Sequence, residues 1–150
     1  MIFTIHFLLG AVLATKIKTI ALFVPLAFIS HYILDAIPHK QYSLDNIFQK
    51  NWKNSFFDFL KIFLDVLLGI LLVFILAQNL FLALLGGIFA TLPDGFTFLS
   101  IIFQKNKILK KHFNFHHKTI HSSNKKISIF WRIFIQILIG ILAIIFLRQS

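Results

Sequence analysis

From Ile127 to Leu147 the chain reads Ile-Ser-Ile-Phe-Trp-Arg-Ile-Phe-Ile-Gln-Ile-Leu-Ile-Gly-Ile-Leu-Ala-Ile-Ile-Phe-Leu. This run decides the fold class, because about 20 predominantly apolar residues are what an α-helix needs to cross a hydrocarbon core about 30 Å thick. Phe56 to Ala77 is a second such run, with Asp58, Lys61 and Asp65 in its first half, and Leu80 to Phe103 a third, interrupted by Pro93-Asp94-Gly95. Nearer the N-terminus the pattern is less regular. Ile2 to Ala14 is a little short for a span, Lys16 and Lys18 intervene, and Ile20 to Ile37 is apolar except for Ser30, His31 and Asp35. These two segments read as a tight helical hairpin, the first either spanning or half-inserted. The expected architecture is an all-α polytopic membrane bundle of about four to five transmembrane helices, with residues 1–150 forming one integral membrane domain. No basic segment precedes the first apolar run and no small-x-small site follows it, so a cleavable signal peptide is not expected.

Composition agrees with this reading. Hydrophobic residues make up 58% of the 150 positions, and mean hydropathy is +0.85. A soluble globular chain is roughly 45–50% apolar. The absence of Cys excludes a disulfide-stapled domain and a Cys-based zinc module. An aromatic content of 16% excludes a disordered basic tail. Fifteen basic residues against five acidic ones give a formal charge of +10, and their placement sets an orientation. Lys105, Lys107, Lys110, Lys111, Lys118, Lys125 and Lys126 lie between the third and last runs, and Lys40, Lys50 and Lys53 precede the second. Cytoplasmic loops collect such charge, so both loops are expected inside, and the short Gln78-Asn79 link outside. Topology thus accounts for the basic residues, and no motif for nucleic-acid binding accompanies them.

In this topology the ionisable groups within the apolar runs share one depth, the cytoplasmic half. Intramembrane charges are expensive and face a polar cavity or a partner. Asp58 and Lys61, three apart on one helix face, can pair with each other. His31 and Asp35 are four apart, a spacing at which an imidazole nitrogen and a carboxylate oxygen can grip one cation or bond to each other. Asp35 also lies at the C-terminal end of its helix, where the macrodipole disfavours negative charge. Pro38 is expected to end that helix and to let His39 turn over the site or outward to the membrane surface. Pro93-Asp94-Gly95 is expected to break its helix at membrane depth, leaving Asp94 to bind a cation or to cap the following half-helix. In the basic loop, His116, His117 and His121 offer three imidazoles, the commonest transition-metal ligand, on a stretch also suited to lipid headgroups. His6 stands four residues before Gly10, where a second helix can approach.

His6-x-x-x-Gly10, Ser30-His31-Tyr32-x-x-Asp35, Leu92-Pro93-Asp94 and a His-rich stretch ending in His121-Ser122 together resemble the YdjM-like family of inner-membrane metal-dependent hydrolases. The stretch from Ser30 to His39 is similar to the His-x-x-x-Asp segment of zinc-dependent phospholipase C. The resemblance implies that His31, Asp35, Asp94 and His121 are metal ligands, with His116 matching the earlier loop His and His6 the N-terminal His. The chain departs from the family after Asp94, where Gly95, Phe96, Thr97 and Phe98 replace a second Asp and a His. It departs again after His116, where His117-Lys118 replaces Arg-Gly.

A membrane-bound metal-dependent hydrolase is therefore expected, in a prokaryotic inner membrane with its site toward the cytoplasm. Its cofactor would be a divalent metal, zinc or manganese, with Asp94 or Asp65 as the proton-accepting carboxylate. Lys110, Lys111, Lys118, Lys125 and Lys126 would draw anionic headgroups to it, making a phospholipid or other lipid-linked phosphate the expected substrate. The alternative is a non-catalytic cation or proton transporter using the same Asp and His residues.

Overall fold

A computed structural model describes residues 1–120 and 127–149, the side chains of 118–120 excepted. Helix α1 covers Phe3–Ile17 and α2 covers Ile20–Ala36. Lys18, at φ 61°, closes α1 in the left-handed region and donates its N–H to the Ala14 carbonyl at 2.9 Å, so the two helices form the tight hairpin read from the sequence. Helix α1 runs beyond Ala14 through Lys16, whose ammonium donates to the Gln149 carbonyl at 2.9 Å. Pro38 acts as expected: Ile37 is extended, with ψ 134°, and α2 stops before it. A short helix α3 (Asp45–Phe48) and a 3₁₀ turn at Trp52–Asn54 lead into α4 (Phe56–Leu76). The Asn79 side chain accepts from the Leu82 N–H at 3.1 Å and caps α5 (Leu80–Ile102). Asn106 caps α6 (Lys107–Asn114) in the same way, a widened π-helical turn follows over Phe115–Ile120, and α7 covers Ile129–Arg148.

The expected break at Pro93 is absent: α5 is helical on both sides of it. Proline removes one backbone donor, which leaves the Phe89 carbonyl without its helical partner. Thr91 Oγ1 bonds back to the Gly87 and Ile88 carbonyls at 3.0 and 3.1 Å in the preceding turn. A proline is tolerated inside an apolar helix packed among neighbours, and Pro93 is buried.

Helix α1 is the central element, buried at ten of its fifteen residues and packed by α2, α4, α5 and α7. Its crossing with α5 depends on small residues. A Cβ on Gly10 would overlap the Gly86 carbonyl oxygen and lie 2.5 Å from Ala90 Cβ, and one on Gly86 would overlap the Gly10 carbonyl and lie 2.5 Å from Ala14 Cβ. This reciprocal small-xxx-small contact brings the two backbones together where a hydrophobic driving force between helices is weak. The outer faces of α4 and α7 are apolar and exposed, with Phe63, Phe74, Ile75, Phe130 and Ile137 half or more uncovered. In water such a surface would be an aggregation hazard. Among the described residues, α4, α5 and α7 are long and apolar enough to cross a membrane. Helices α1 and α2, of 15 and 17 residues, extend about 23 and 26 Å, short of a full hydrocarbon core.

Candidate metal centre

Four side chains converge where α2, α5 and the π-helical turn meet: His31, Asp35, Asp94 and His116 each place one donor atom within 4.8 Å of the other three. His31 Nε2 lies 3.1 Å from His116 Nε2, 3.4 Å from Asp35 Oδ2 and 3.5 Å from Asp94 Oδ1, and His116 Nε2 lies 2.9 Å from Asp35 Oδ2. A tetrahedral zinc ion with ligand bonds of about 2.0–2.1 Å holds its donors about 3.3–3.4 Å apart. These four separations straddle that value, and all four donors lie within 4.8 Å of one another, so the set could hold a divalent cation. The side chains of His31 and Asp35 are fully buried, that of His116 nearly so, and that of Asp94 is 37% exposed. Three of the donors are thus closed off, and Asp94 is the partly open one.

The local sequence explains the convergence. The four-residue spacing places His31 and Asp35 on one face of α2. The Gly10–Gly86 crossing holds α5 so that Ala90, one turn before Asp94, presents its carbonyl to His31 Nδ1 at 2.9 Å. That bond places the ring proton on Nδ1 and leaves Nε2 as the lone-pair donor facing the cluster. His116 Nδ1 faces Thr97 Oγ1 at 3.4 Å. Thr97 is three residues beyond Asp94 and shares its helix face.

Asp35 organises both sides of the site. Its Oδ2 faces His31 and His116, while its Oδ1 faces His6 Nε2 at 3.2 Å, His39 Nε2 at 3.8 Å and the Met1 α-amine. The positive or hydrogen-bonding compensation required at the end of α2 is thus supplied from several directions. His6 also stacks on His31 with ring centroids 4.1 Å apart. His6 and His39 therefore gather on the far oxygen of Asp35, outside the four-donor cluster.

The remaining sequence candidates lie elsewhere. His117 packs against Phe113 and Phe48, with centroids 4.6 and 5.3 Å apart, and is not among the converging donors. His121, expected as a ligand, lies outside the described residues, as do Lys125 and Lys126. Asp65 is engaged in a different task. Its carboxylate accepts from the Phe3 N–H at 2.7 Å, the Thr4 N–H at 3.0 Å, the Thr4 hydroxyl and the Tyr42 hydroxyl at 3.1 Å. It caps the N-terminus of α1 from the neighbouring helix, whereas Asp94 is partly exposed and lines a cavity. Asp58 accepts from the Asn46 and Ile47 N–H groups at 3.0 and 3.3 Å and pairs with Lys61 at 3.2 Å, the pair read from their spacing.

Two further polar residues, outside the candidate ligand set, lie near the cluster. Tyr32 OH meets His112 Nε2 at 2.9 Å, and the His112 ring stacks on His116 with centroids 5.8 Å apart. The adjacency of Tyr32 to His31 was the sequence signal for the first of them. His39, His112 and His117, outside the three long spanning helices, are held below the ordinary imidazole value, first by burial.

Compared with family models, with curated proteins and with solved structures, the chain matches none.

Proposed function

We propose that this protein is a membrane-bound metal-dependent hydrolase acting on a phosphoester or lipid-linked substrate at the cytoplasmic face of a prokaryotic inner membrane. The observation that carries the reading is the convergence of His31, Asp35 and His116 with a partly open Asp94. The likeness of its motifs to the YdjM-like family supports the same activity. A divalent cation held there, zinc or manganese, would neutralise charge on a phosphoryl oxygen and lower the pKa of water. Asp35 and His31 form the buried wall of the site, fixed by the Ala90 carbonyl. Asp94, facing the cavity, is positioned to bind the cation or to accept a proton from water. The exposed Lys105, Lys107, Lys110 and Lys111 beside the π-helical turn would draw anionic headgroups toward it. In this reading α1 and α2 complete a bundle of four to five spans, with the basic loops on the cytoplasmic side.

Transport by the same residues is disfavoured by the packing beyond the cluster. Leu8, Ala11 and Val12 of α1 are buried against Val73, Ala83, Ala143 and Leu147. This apolar plug occupies the middle and far end of the bundle, where a cation path would need polar groups.

The test is turnover of phosphate esters by detergent-purified protein loaded with zinc or manganese. The expected result is hydrolysis by the wild type and its loss in Asp94→Asn. Metal-loaded protein that conducts cations across liposomes and leaves phosphate esters intact would assign the cluster to transport.

A further inference from the structure

A cavity of about 540 Å³ adjoins the cluster, with Asp94 and His116 in its wall. The rest of its lining is largely apolar, chiefly Phe59, Ile62 and Val66 of α4 and Ile88, Leu92 and Phe98 of α5. Phe59 and Phe98 meet edge to face across the two helices, with centroids 6.3 Å apart. Of the lining residues Phe59 is 41% and Ile88 51% exposed, on helices whose outer faces are mostly apolar, Lys61 being an exposed exception on α4. The cavity is therefore bordered by metal-binding side chains on one wall and by the bilayer-facing surface on another.

We infer that this cavity receives a hydrocarbon chain of a lipid phosphate, which enters sideways from the bilayer between α4 and α5 and presents its phosphate to Asp94 and His116. The inference rests on the hydrolase reading and narrows its substrate. A small hydrophilic ester makes little use of a chamber of this size whose wall is mostly apolar, with few hydrogen-bonding groups such as Gln41, Tyr42 and Thr97. The space, about 540 Å³, is ample for at least one alkyl chain. Because the chain is already in hydrocarbon when it arrives, the cavity contributes position more than affinity: it fixes the phosphate at the depth of the cluster.

Gly95 gives a selective handle. It lines the cavity, and a Cβ built on it meets nothing within 4 Å, so a larger side chain there fills the chamber and spares the packing.

The experiment uses full-length, zinc-loaded protein in phosphatidylcholine vesicles with a trace of hexadecyl phosphate carrying a mid-chain diazirine. The expected result is photolabelling of Ile62, Val66 or Leu92 that unlabelled hexadecyl phosphate suppresses and hexadecanol does not. Gly95→Leu is expected to lower that labelling at least tenfold while retaining its zinc. Should the variant fail to fold, competition in the wild type alone decides for or against the cavity. Label spread over Phe74 and Ile137 regardless of competitor, or equal cavity labelling by a hexadecanol probe, would overturn the inference, the latter marking an ordinary bilayer chain. Turnover of short phosphate esters without cavity labelling removes this inference alone. Competed cavity labelling without turnover of any phosphate ester removes the hydrolase reading.

Discussion

Replacing Gly10 by alanine adds one methyl group at the contact between α1 and α5, and its effect can be worked from the structure. In an ordinary helix the change is favourable by about 1 kcal/mol, because glycine is the poorer helix former. Here the new Cβ overlaps the Gly86 carbonyl oxygen, a backbone atom that no rotamer change can move, and approaches Ala90 Cβ at 2.5 Å. Overpacking of this kind costs about 1–3 kcal/mol. A backbone clash belongs at the upper end, so the net loss is about 2 kcal/mol. For a chain of this length that lowers the melting temperature by roughly 4–8 °C. Gly95→Ala is the matched control: the same methyl group meets nothing within 4 Å, and stability is expected to stay level or rise by up to about 1 kcal/mol. Thermal unfolding in detergent, followed by tryptophan fluorescence, compares the two. The consequence extends to the site, because pushing α5 away from α1 moves Ala90, whose carbonyl holds His31 Nδ1. Loss of such a supporting bond weakens metal binding about 10–100-fold. A Gly10→Ala protein as stable as the wild type, with unchanged metal affinity, would refute the reasoning.

Other substitutions separate structure from site. Asp65→Ala removes the acceptor for two backbone N–H groups of α1 and two hydroxyls; unfolding experiments are expected to show a loss of about 2–4 kcal/mol, with Asp65→Asn milder. Asp58→Ala is expected to leave the metal content of the folded protein unchanged, since its carboxylate serves α3 and Lys61. His116→Ala is expected to abolish metal retention and His117→Ala to preserve it, as measured by elemental analysis after desalting. Thr97→Val, which removes the hydroxyl facing His116 Nδ1, is expected to weaken metal binding about tenfold.

The most legible parts of the sequence were those whose partners are local. Apolar run length gave the long helices, the four-residue spacing gave His31 and Asp35, and the three-residue spacing gave the Asp58–Lys61 pair. Asp94 was legible as a carboxylate in an apolar helix, although the break predicted around it is absent because a proline frees only one carbonyl. What sequence did not give depends on distant contacts. Phe3 and Thr4 present their N–H groups to Asp65 across more than sixty positions, and Asn46 and Ile47 present theirs to Asp58 from the short helix α3. No spacing rule encodes such a cap, so Asp65 read as a catalytic candidate. The choice between His116 and His117 was also hidden, because the π-helical turn changes the angle at which successive side chains project. Four of the five carboxylates lie in apolar runs, and the structure divides them: two cap helices and two form the cluster.

A bound cation is the feature on which the site's chemistry depends most. Elemental analysis of the wild-type protein, purified in detergent, loaded with zinc and desalted, is expected to give stoichiometric metal that His31→Ala and Asp35→Asn lose while remaining folded. Folded wild-type protein that retains neither zinc nor manganese would contradict it.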